Sequence, residues 1–289
     1  MRDIRGSDLL IITVASGKGG TGKTTVAVNL ALSLNNPNLF DCDVEEPNVH
    51  TLLHPKDIIT EDVNVPTPKV DEGLCTLCGK CSDFCQFNAI FVGKTKVLFF
   101  DKICHSCGGC AIVCPESAIS EYARTVGEIK TSQVEGLQLT SGELKIGEPM
   151  AVPVIKAVKE RIVRDEVNIL DAPPGTSCTV IETVQESDYV VLVTEPTPFG
   201  LHDLMMTVDV VDRLGVPYGV VINRSTIGNE DTAKFLREKG IPILMEIPFD
   251  REIAELYSKG IAFVKVIPEY RVKFQEMMRY IEEVVNNGM

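Results

Sequence analysis

The chain of 289 residues contains no tryptophan, only 6% aromatic residues and no excess of basic residues. Its 28 Lys and Arg are outnumbered by 41 Asp and Glu, so the formal net charge is −13. Such a field repels a phosphate backbone, which excludes nucleic acid as an expected partner, and it suits solubility or a basic protein partner. No apolar run reaches about 18 residues, so no membrane-spanning helix is predicted. Apolar residues still make up 44% of the chain, enough to bury a sizeable core.

The sequence also lacks the features of a secretory signal. Residues 1–9 are charged, and the apolar run 9–15 is too short for a hydrophobic region followed by a cleavage site. We therefore expect a cytoplasmic protein. In that setting the ten cysteines indicate metal ligation rather than disulfides.

Apolar segments of strand length alternate with segments of helical period. This alternation predicts an α/β fold with a doubly wound, mostly parallel sheet. The predicted strands are residues 9–15, 39–42, 167–171, 189–194, 218–222 and 243–247, and the predicted helices are 23–34, 197–214 and 231–239. Residues 271–285 form an amphipathic pattern with mixed charges, which predicts a packing helix rather than a membrane-binding one.

A cysteine-dense stretch interrupts this alternation. The α/β pattern weakens after Pro47. Pro66 and Pro68 predict breaks in the chain, and the cysteine-dense stretch runs from Cys75 to about Ala123. Insertions are tolerated at surface loops. We predict an α/β domain made of residues 1–65 and 124–289, with residues 66–123 as an insert.

The insert repeats itself with an offset of 29 residues (104 − 75). Each half carries the C-x-x-C-x-x-C-x-x-x-C spacing of bacterial ferredoxins, in which the fourth cysteine ligates the other cluster. The predicted ligands of one 4Fe-4S cluster are Cys75, Cys78, Cys81 and Cys114, and those of the other are Cys85, Cys104, Cys107 and Cys110. A four-cysteine zinc site is the alternative, although zinc sites usually pair C-x-x-C knuckles. Gln86 replaces the proline that Pro115 supplies in the second half, which removes no ligand.

Residues 17–24, Gly-Lys-Gly-Gly-Thr-Gly-Lys-Thr, match G-x-x-x-x-G-K-T between a predicted strand and a predicted helix. Glycines let backbone N–H groups close around phosphate oxygens, and the helix N-terminus adds positive charge. Lys23 is expected to reach the β- and γ-phosphates and Thr24 to ligate Mg²⁺. The predicted nucleotide-binding residues of the loop are Gly17, Lys18, Gly19, Gly20, Thr21, Gly22, Lys23, Thr24 and Thr25.

The second lysine of this loop, Lys18, resembles that of the deviant Walker A ATPases, the MinD, ParA and Mrp group and the nitrogenase iron protein. Phe-Asp-Cys-Asp at 40–43 and Ile-Leu-Asp-Ala-Pro-Pro-Gly at 169–175 resemble the switch I and switch II segments of that family. The resemblance implies that Lys18 crosses a dimer interface to the partner's nucleotide, that Asp43 positions the attacking water, and that Asp171 holds Mg²⁺ through water. It also implies that the Gly175 N–H senses the γ-phosphate and that Asn223 contacts adenine.

Two cysteines lie outside the repeat. Cys42 is interpreted as a packing residue. Cys178 has the offset from Asp171 of the switch II cluster ligand in the nitrogenase iron protein, but no second cysteine corresponds to that protein's other ligand. It is either a further ligand or a small thiol near the nucleotide. No cysteine follows Cys178, so the C-terminal C-x-x-C of Mrp-type cluster carriers is missing.

The whole chain is similar to MinD- and Mrp-like ATPases that carry an inserted ferredoxin domain. This implies ATP hydrolysis in a homodimer, or in a dimer with a close paralogue, coupled to electron transfer through two 4Fe-4S clusters. An unknown redox protein is the expected partner, and stable membrane association is not expected. The insert lies between the segments of Asp43 and Asp171, which is the physical basis for coupling. The alternatives are an ATPase that assembles or carries iron–sulfur clusters and a ParA-like positioning ATPase.

Overall fold

The computed structural model describes residues 10–163 and 166–288. The charged segment 1–9, including the first residue of the predicted strand 9–15, lies outside the described residues. The strands are β1 Leu10–Ala15, β2 Asn38–Asp41, β3 Ile59–Val70, β4 Ile90–Val92, β5 Val97–Phe99, β6 Ile119–Val134, β7 Leu137–Leu144, β8 Val167–Asp171, β9 Tyr189–Thr194, β10 Tyr218–Asn223 and β11 Ile243–Ile247. The helices are α1 Lys23–Leu32, α2 His50–Leu53, α3 Lys80–Phe84, α4 Gly109–Ile112, α5 Val152–Lys159, α6 Cys178–Val184, α7 Pro198–Leu214, α8 Asp231–Lys239, α9 Arg251–Ser258 and α10 Pro268–Asn287.

One large sheet organises the α/β part. Its strand order is β11-β10-β9-β1-β8-β2-β7-β6-β3. Every pair from β11 to β7 is parallel, and β6 and β3 continue the sheet in antiparallel pairs. The central strands are apolar on both faces because helices cover both. The predicted α/β fold with a large, mostly parallel sheet is confirmed.

Successive side chains of the central strands enter different cores. Ile12 packs in a cluster with α1 and α10, whereas Ile11 packs in a cluster with α5 on the other face. In α10, Met277 and Ile281 of the amphipathic pattern are buried in the cluster that contains Ile12, whereas Val272 is exposed. In the part of the chain that the structure describes, no helix is long and apolar enough to cross a membrane.

A long antiparallel ribbon joins the sheet to the cysteine-rich segment. Strand β3 pairs with β6 along its whole length, from Ile59 opposite Thr131 to Val70 opposite Ile119. Pro66 and Pro68, which we expected to break the chain, lie inside β3. This strand is the edge of the sheet, where the missing N–H of proline faces solvent. The predicted domain boundaries stay a prediction; Pro66 and Ala123 lie opposite each other in the ribbon.

The strands β6 and β7 and the helix α5 were not predicted. A two-residue turn joins β6 to β7, and both of its residues, Glu135 and Gly136, have positive φ. Such turns match the twist of a hairpin. The hairpin places β7 beside β2, and α5 then covers this end of the sheet.

Between the ribbon strands, residues 71–118 fold as two similar halves. One half contains α3 and the other contains α4, with the small hairpin of β4 and β5 beside them. The backbone repeats with the same offset as the sequence. Left-handed φ values occur at three matching pairs of positions: Leu77 and Ser106, Gly79 and Gly108, and Asn88 and Ser117.

Candidate functional site

The loop between β1 and α1 is built around glycines. Gly22 has φ 91°, and a Cβ there would lie 2.3 Å from Nδ2 of Asn223. A Cβ on Gly17 would lie 2.3 Å from the carbonyl oxygen of Asp203 on α7. Only glycine fits at either position. The loop is therefore pressed against neighbouring elements and opens at the carboxyl edge of the sheet, where parallel sheets bind ligands.

Four residues predicted to act on the nucleotide lie together at this edge. The Lys23 Nζ donates to Oδ1 of Asp171 at 2.8 Å and lies 3.8 Å from Oδ2 of Asp43. The Thr24 hydroxyl donates to the other Asp171 oxygen at 2.6 Å. Burial alone would lower the pKa of Lys23, but Asp171, Asp43 and Asp41 outweigh it and raise the pKa above its usual value. The site is a buried ammonium group balanced by carboxylates.

Asp41 supports the segment that carries Asp43. Its side chain is fully buried at the end of β2 and accepts backbone N–H bonds from Asp43, Asn48 and Val49, at 3.2, 3.0 and 3.1 Å. Burial, together with the nearby Asp171, raises the pKa of Asp41 above its usual range. Burial likewise raises the pKa of Asp43 to about 6. A carboxyl group with a pKa near neutrality is suited to proton transfer.

Lys18 lies apart from the Lys23 group. Its Nζ is 3.9 Å from Oε2 of Glu195, a residue directly after β9, and the other Glu195 oxygen pairs with Arg224. The Lys18 side chain is 32% exposed. Sequence reasoning missed Glu195 and Arg224 because no local motif marks them. The parallel pairing of β9 with β1 on one side and with β10 on the other brings them to the loop.

Two further residues that were predicted to contact the nucleotide, Gly175 and Asn223, form hydrogen bonds within the protein. The Gly175 N–H donates to the carbonyl of Ser16 at 2.9 Å, and the Asn223 amide donates to the carbonyl of Thr21 at 2.7 Å. Both residues therefore brace the phosphate loop. Their predicted roles, toward the γ-phosphate and the adenine, stay predictions.

A cleft runs from the phosphate loop across this edge of the sheet. Its lining includes the polar side chains of Lys18, Lys23, Thr24 and Asp43 and the aromatic side chains of Phe249 and Tyr257. The two aromatic side chains are about half exposed, at 55% and 54%. The cleft thus combines phosphate-binding groups with an apolar wall, as nucleotide sites do.

The eight repeated cysteines line two separate cavities. One cavity is lined by Cys75, Cys78, Cys81 and Cys114, together with the apolar side chains of Val70, Leu77, Val92 and Ile119. The other is lined by Cys85, Cys104, Cys107 and Cys110, together with Phe84, Phe87, Ala89 and Ile90. The fourth cysteine of each run lies in the cavity of the other run. Each cavity therefore contains one of the two predicted ligand sets.

The cysteine environment fits iron–sulfur ligation. Backbone N–H groups donate to sulfur from Ala89 to Cys85 at 3.4 Å and from Ala118 to Cys114 at 3.3 Å, again with an offset of 29. Hydrogen bonds to sulfur and an apolar shell are features that tune such clusters. All ten cysteines are free thiols. Within residues 10–163 and 166–288, no three His, Cys, Asp or Glu groups are arranged to hold a single metal ion.

The two cavities are covered differently. The Phe87 ring stacks on His105 with centroids 3.6 Å apart and planes 14° apart, at the edge of the cavity that contains Cys104. The equivalent positions of the other half are Glu116 and Thr76. One cavity therefore has an aromatic cover where the other has polar side chains.

The two remaining cysteines differ in exposure. Cys42 is completely buried beside Phe40 and Leu170, and burial raises the pKa of its thiol. This fits the interpretation as a packing residue. Cys178 is exposed at the first position of α6, and its predicted alternatives remain open.

A glycine loop between a buried strand and a helix, with lysine, threonine and two aspartates at one sheet edge, defines a P-loop nucleotide-binding protein. The family described as CbiA, CobQ/CobB/MinD/ParA nucleotide binding domain, matches residues 12–263. The chain belongs to this family, and the resemblance to the MinD and ParA group is confirmed.

Three known proteins illustrate the similarity. The uncharacterized protein MJ0579 of Methanocaldococcus jannaschii is 31% identical over 97% of this chain and 98% of its own length. An iron-sulfur cluster carrier protein of Pyrococcus horikoshii is 26% identical over 95% of this chain and 85% of its own length. The structure of the septum site-determining protein MinD from Pyrococcus horikoshii, complexed with Mg-ADP, has a TM-score of 0.56 and 22% identity and covers 95% of each chain. At that identity, the last comparison shows a shared fold.

Proposed function

We propose that this chain is a dimeric ATPase whose inserted segment holds two 4Fe-4S clusters, and that ATP binding and hydrolysis control electron transfer through the insert. One observation carries the proposal. The two cavities of the insert each contain four cysteines drawn from both runs, on a ribbon that continues the ATPase sheet. A nucleotide site and a paired cysteine site are thus parts of one framework.

We infer a role for each residue near Lys23. The ammonium group of Lys23 binds the β- and γ-phosphates, and the Thr24 hydroxyl ligates Mg²⁺. Asp171 would hold Mg²⁺ through water. Lys23 and Thr24, which contact Asp171 in this structure, would then turn to the phosphates and the cation. Asp43, with its raised pKa, orients the attacking water and accepts its proton. A MinD solved with Mg-ADP supports this choice of nucleotide and cation.

Dimer formation uses Lys18. In the single chain this lysine pairs with Glu195 at a distance that makes the contact weak. Binding to the nucleotide of a second copy would replace that contact with a charge-assisted one. ATP therefore favours the dimer through Lys18, with the partner being an identical chain or a close paralogue.

The cysteine cavities hold the clusters and control access to them. Two 4Fe-4S clusters, when bound, supply one-electron transfer over a range of potentials that hydrogen bonds and exposure adjust. The cysteines ligate as thiolates, and the backbone N–H groups of Ala89 and Ala118 stabilise sulfur charge. Cys78 and Cys107 are the exposed cysteines of the two sets, so a redox protein would approach the clusters at these edges.

A second candidate function is iron–sulfur cluster assembly or delivery. It is favoured by the similarity of the chain to the iron-sulfur cluster carrier protein of Pyrococcus horikoshii. In that case the cluster is cargo rather than a resident group. The absence of any cysteine after Cys178 and the four-cysteine sets of the insert favour resident clusters.

Cluster transfer separates the two candidates. The protein is loaded with iron and sulfide without oxygen, mixed with an apo-ferredoxin acceptor and ATP, and the iron of each protein is measured after separation. We expect about eight irons per chain to stay bound, and their reduction by dithionite to be reversible. Rapid ATP-dependent loss of iron to the acceptor would favour the carrier. Stoichiometric zinc without visible absorption would exclude both.

A further inference from the structure

Glu148 joins the insert to the ATPase part of the chain. It lies in the loop between β7 and α5 and accepts from the Arg124 guanidinium on β6 at 2.6 Å. The same oxygen accepts from Nζ of Lys102 at 2.9 Å. Lys102 belongs to the insert, in the short 3-10 turn Asp101–Ile103 that directly precedes Cys104. One carboxylate thus contacts both the ribbon and the segment that leads to a predicted cluster ligand.

The Glu148 carboxylate is held firmly. Its side chain is only 5% exposed, and the Arg124 side chain is 12% exposed. Burial alone would raise the pKa of Glu148, but the bonds from Arg124 and Lys102 outweigh it and lower the pKa. Arg124 also donates to the Thr67 hydroxyl on β3 at 3.3 Å. The Lys102 side chain, by contrast, is 53% exposed.

A short series of backbone contacts leads from Glu148 to the nucleotide site. The Glu148 N–H donates to the carbonyl of Lys145 at 2.9 Å, and the Leu144 N–H donates to the carbonyl of Val44 at 2.7 Å. Val44 directly follows Asp43. Close packing reinforces this link, because a Cβ on Gly142 of β7 would lie 2.6 Å from the Val44 side chain.

We propose that Glu148 is a positioning residue that transmits the nucleotide state of the Asp43 segment to the insert, an inference that rests on the proposed function. Movement of Asp43 and Val44 displaces Leu144 because the two segments share a hydrogen bond and close packing. The loop that follows Leu144 then carries Glu148 with it. When the Glu148 carboxylate moves, Lys102 moves with it, and the turn before Cys104 moves with Lys102. The difference between the contacts that ATP and ADP make at Asp43 thereby changes the position of the segment that leads to a cysteine cavity.

The test measures iron release from the cluster-loaded, full-length protein. The rate of iron chelation is recorded with ADP and with a non-hydrolysable ATP analogue, and the ratio of the two rates reports coupling. In the wild-type protein we expect a ratio above one and up to about 5-fold, the largest effect that an ion pair with a half-exposed lysine transmits. Lys102→Met removes only the exposed contact with the insert, so the variant folds and keeps its basal ATP hydrolysis. Its ratio should fall toward one, and Lys102→Arg should restore it.

Two further variants complete the design. Glu148→Gln should lower the ratio in the same way, with the reduction potential of the clusters no longer dependent on nucleotide. Lys130→Met is the matched control, because Lys130 lies on β6 and pairs with Glu143 without reaching the insert. It should leave the ratio unchanged.

The outcomes distinguish a failure of the proposed function from a failure of the role of Glu148. A wild-type ratio of one refutes the coupling in the proposed function and the inference with it. A wild-type ratio above one that persists in Lys102→Met and Glu148→Gln overturns the role of Glu148 alone. An equal loss of the ratio in Lys130→Met would also overturn it, since any ion pair on the ribbon would then have the same effect.

Discussion

Replacing the two lysines of the phosphate loop by alanine should lower the stability of the protein by very different amounts. The Lys23 side chain is 7% exposed and lies 2.8 Å from an Asp171 carboxylate that is completely buried. Lys23→Ala leaves Asp171, Asp43 and Asp41 without their nearest cation. Removing one member of a buried ion pair costs about 3–5 kcal/mol.

The other lysine serves as the matched control. The Lys18 side chain is 32% exposed, and its Nζ is 3.9 Å from Glu195. Pairs of this kind contribute about 0–1 kcal/mol. Glu195 also keeps its contact with Arg224 in Lys18→Ala. The two variants therefore differ in burial and geometry while sharing the same loop and the same substitution.

The assay is urea unfolding of both variants and the wild type without nucleotide, followed by far-ultraviolet circular dichroism. We expect the free energy of unfolding to fall by about 3–5 kcal/mol in Lys23→Ala and by less than about 1 kcal/mol in Lys18→Ala. ATP hydrolysis should be lost in Lys23→Ala because the γ-phosphate loses its charge partner. Equal losses of stability in the two variants would show that the Lys23 contacts are not the buried network described here.

Three other predictions address the separate parts of the molecule. Asp43→Asn should bind ATP with little change and hydrolyse it at least about 100-fold more slowly, since a general base typically contributes 10²–10⁴-fold; unchanged turnover in a steady-state phosphate-release assay would exclude the role in water activation. Cys75→Ser should lower the iron content from about eight to about four per chain, measured together with the visible absorption; loss of all iron would show that the two cavities do not bind independently. Phe87→Glu copies Glu116 of the other half and should make chelation of iron from the two cavities equally fast, because the aromatic cover is removed. In the wild type we expect iron release in two kinetic phases, and a single phase would contradict the shielding by Phe87.

Part of the nucleotide site could be predicted from local sequence. Gly22, Lys23 and Thr24 were predicted from a short motif because the loop depends on backbone freedom and on the adjacent strand and helix. Asp43 and Asp171 were assigned through a resemblance, and the structure brings both within 4 Å of Lys23. Glu195 could not be assigned in this way, since its contact with Lys18 depends on the order of strands in the sheet.

The ribbon formed by β3 and β6 could not be predicted from local sequence. Pro66 and Pro68 ordinarily oppose strand structure, and half of β3 is exposed. A local pattern therefore predicted a break. The edge position of β3 makes the prolines compatible with the strand, and pairing with β6 stabilises it. Edge position is a property of the whole sheet and has no local signature.

The parts of the molecule that depend on residue spacing could be predicted from the sequence: the phosphate loop, the two cysteine runs, and the apolar strands of a parallel sheet. These depend on residues close together in the chain, so their geometry follows from local backbone rules. The tertiary structure alone decided what lies between them. Lys18 contacts Glu195 because β1 and β9 are neighbours. Glu148 contacts Lys102, 46 residues away, because β6 pairs with both β3 and β7. Such contacts arise from packing between distant segments, where each partner is an ordinary charged residue until the fold brings the two together.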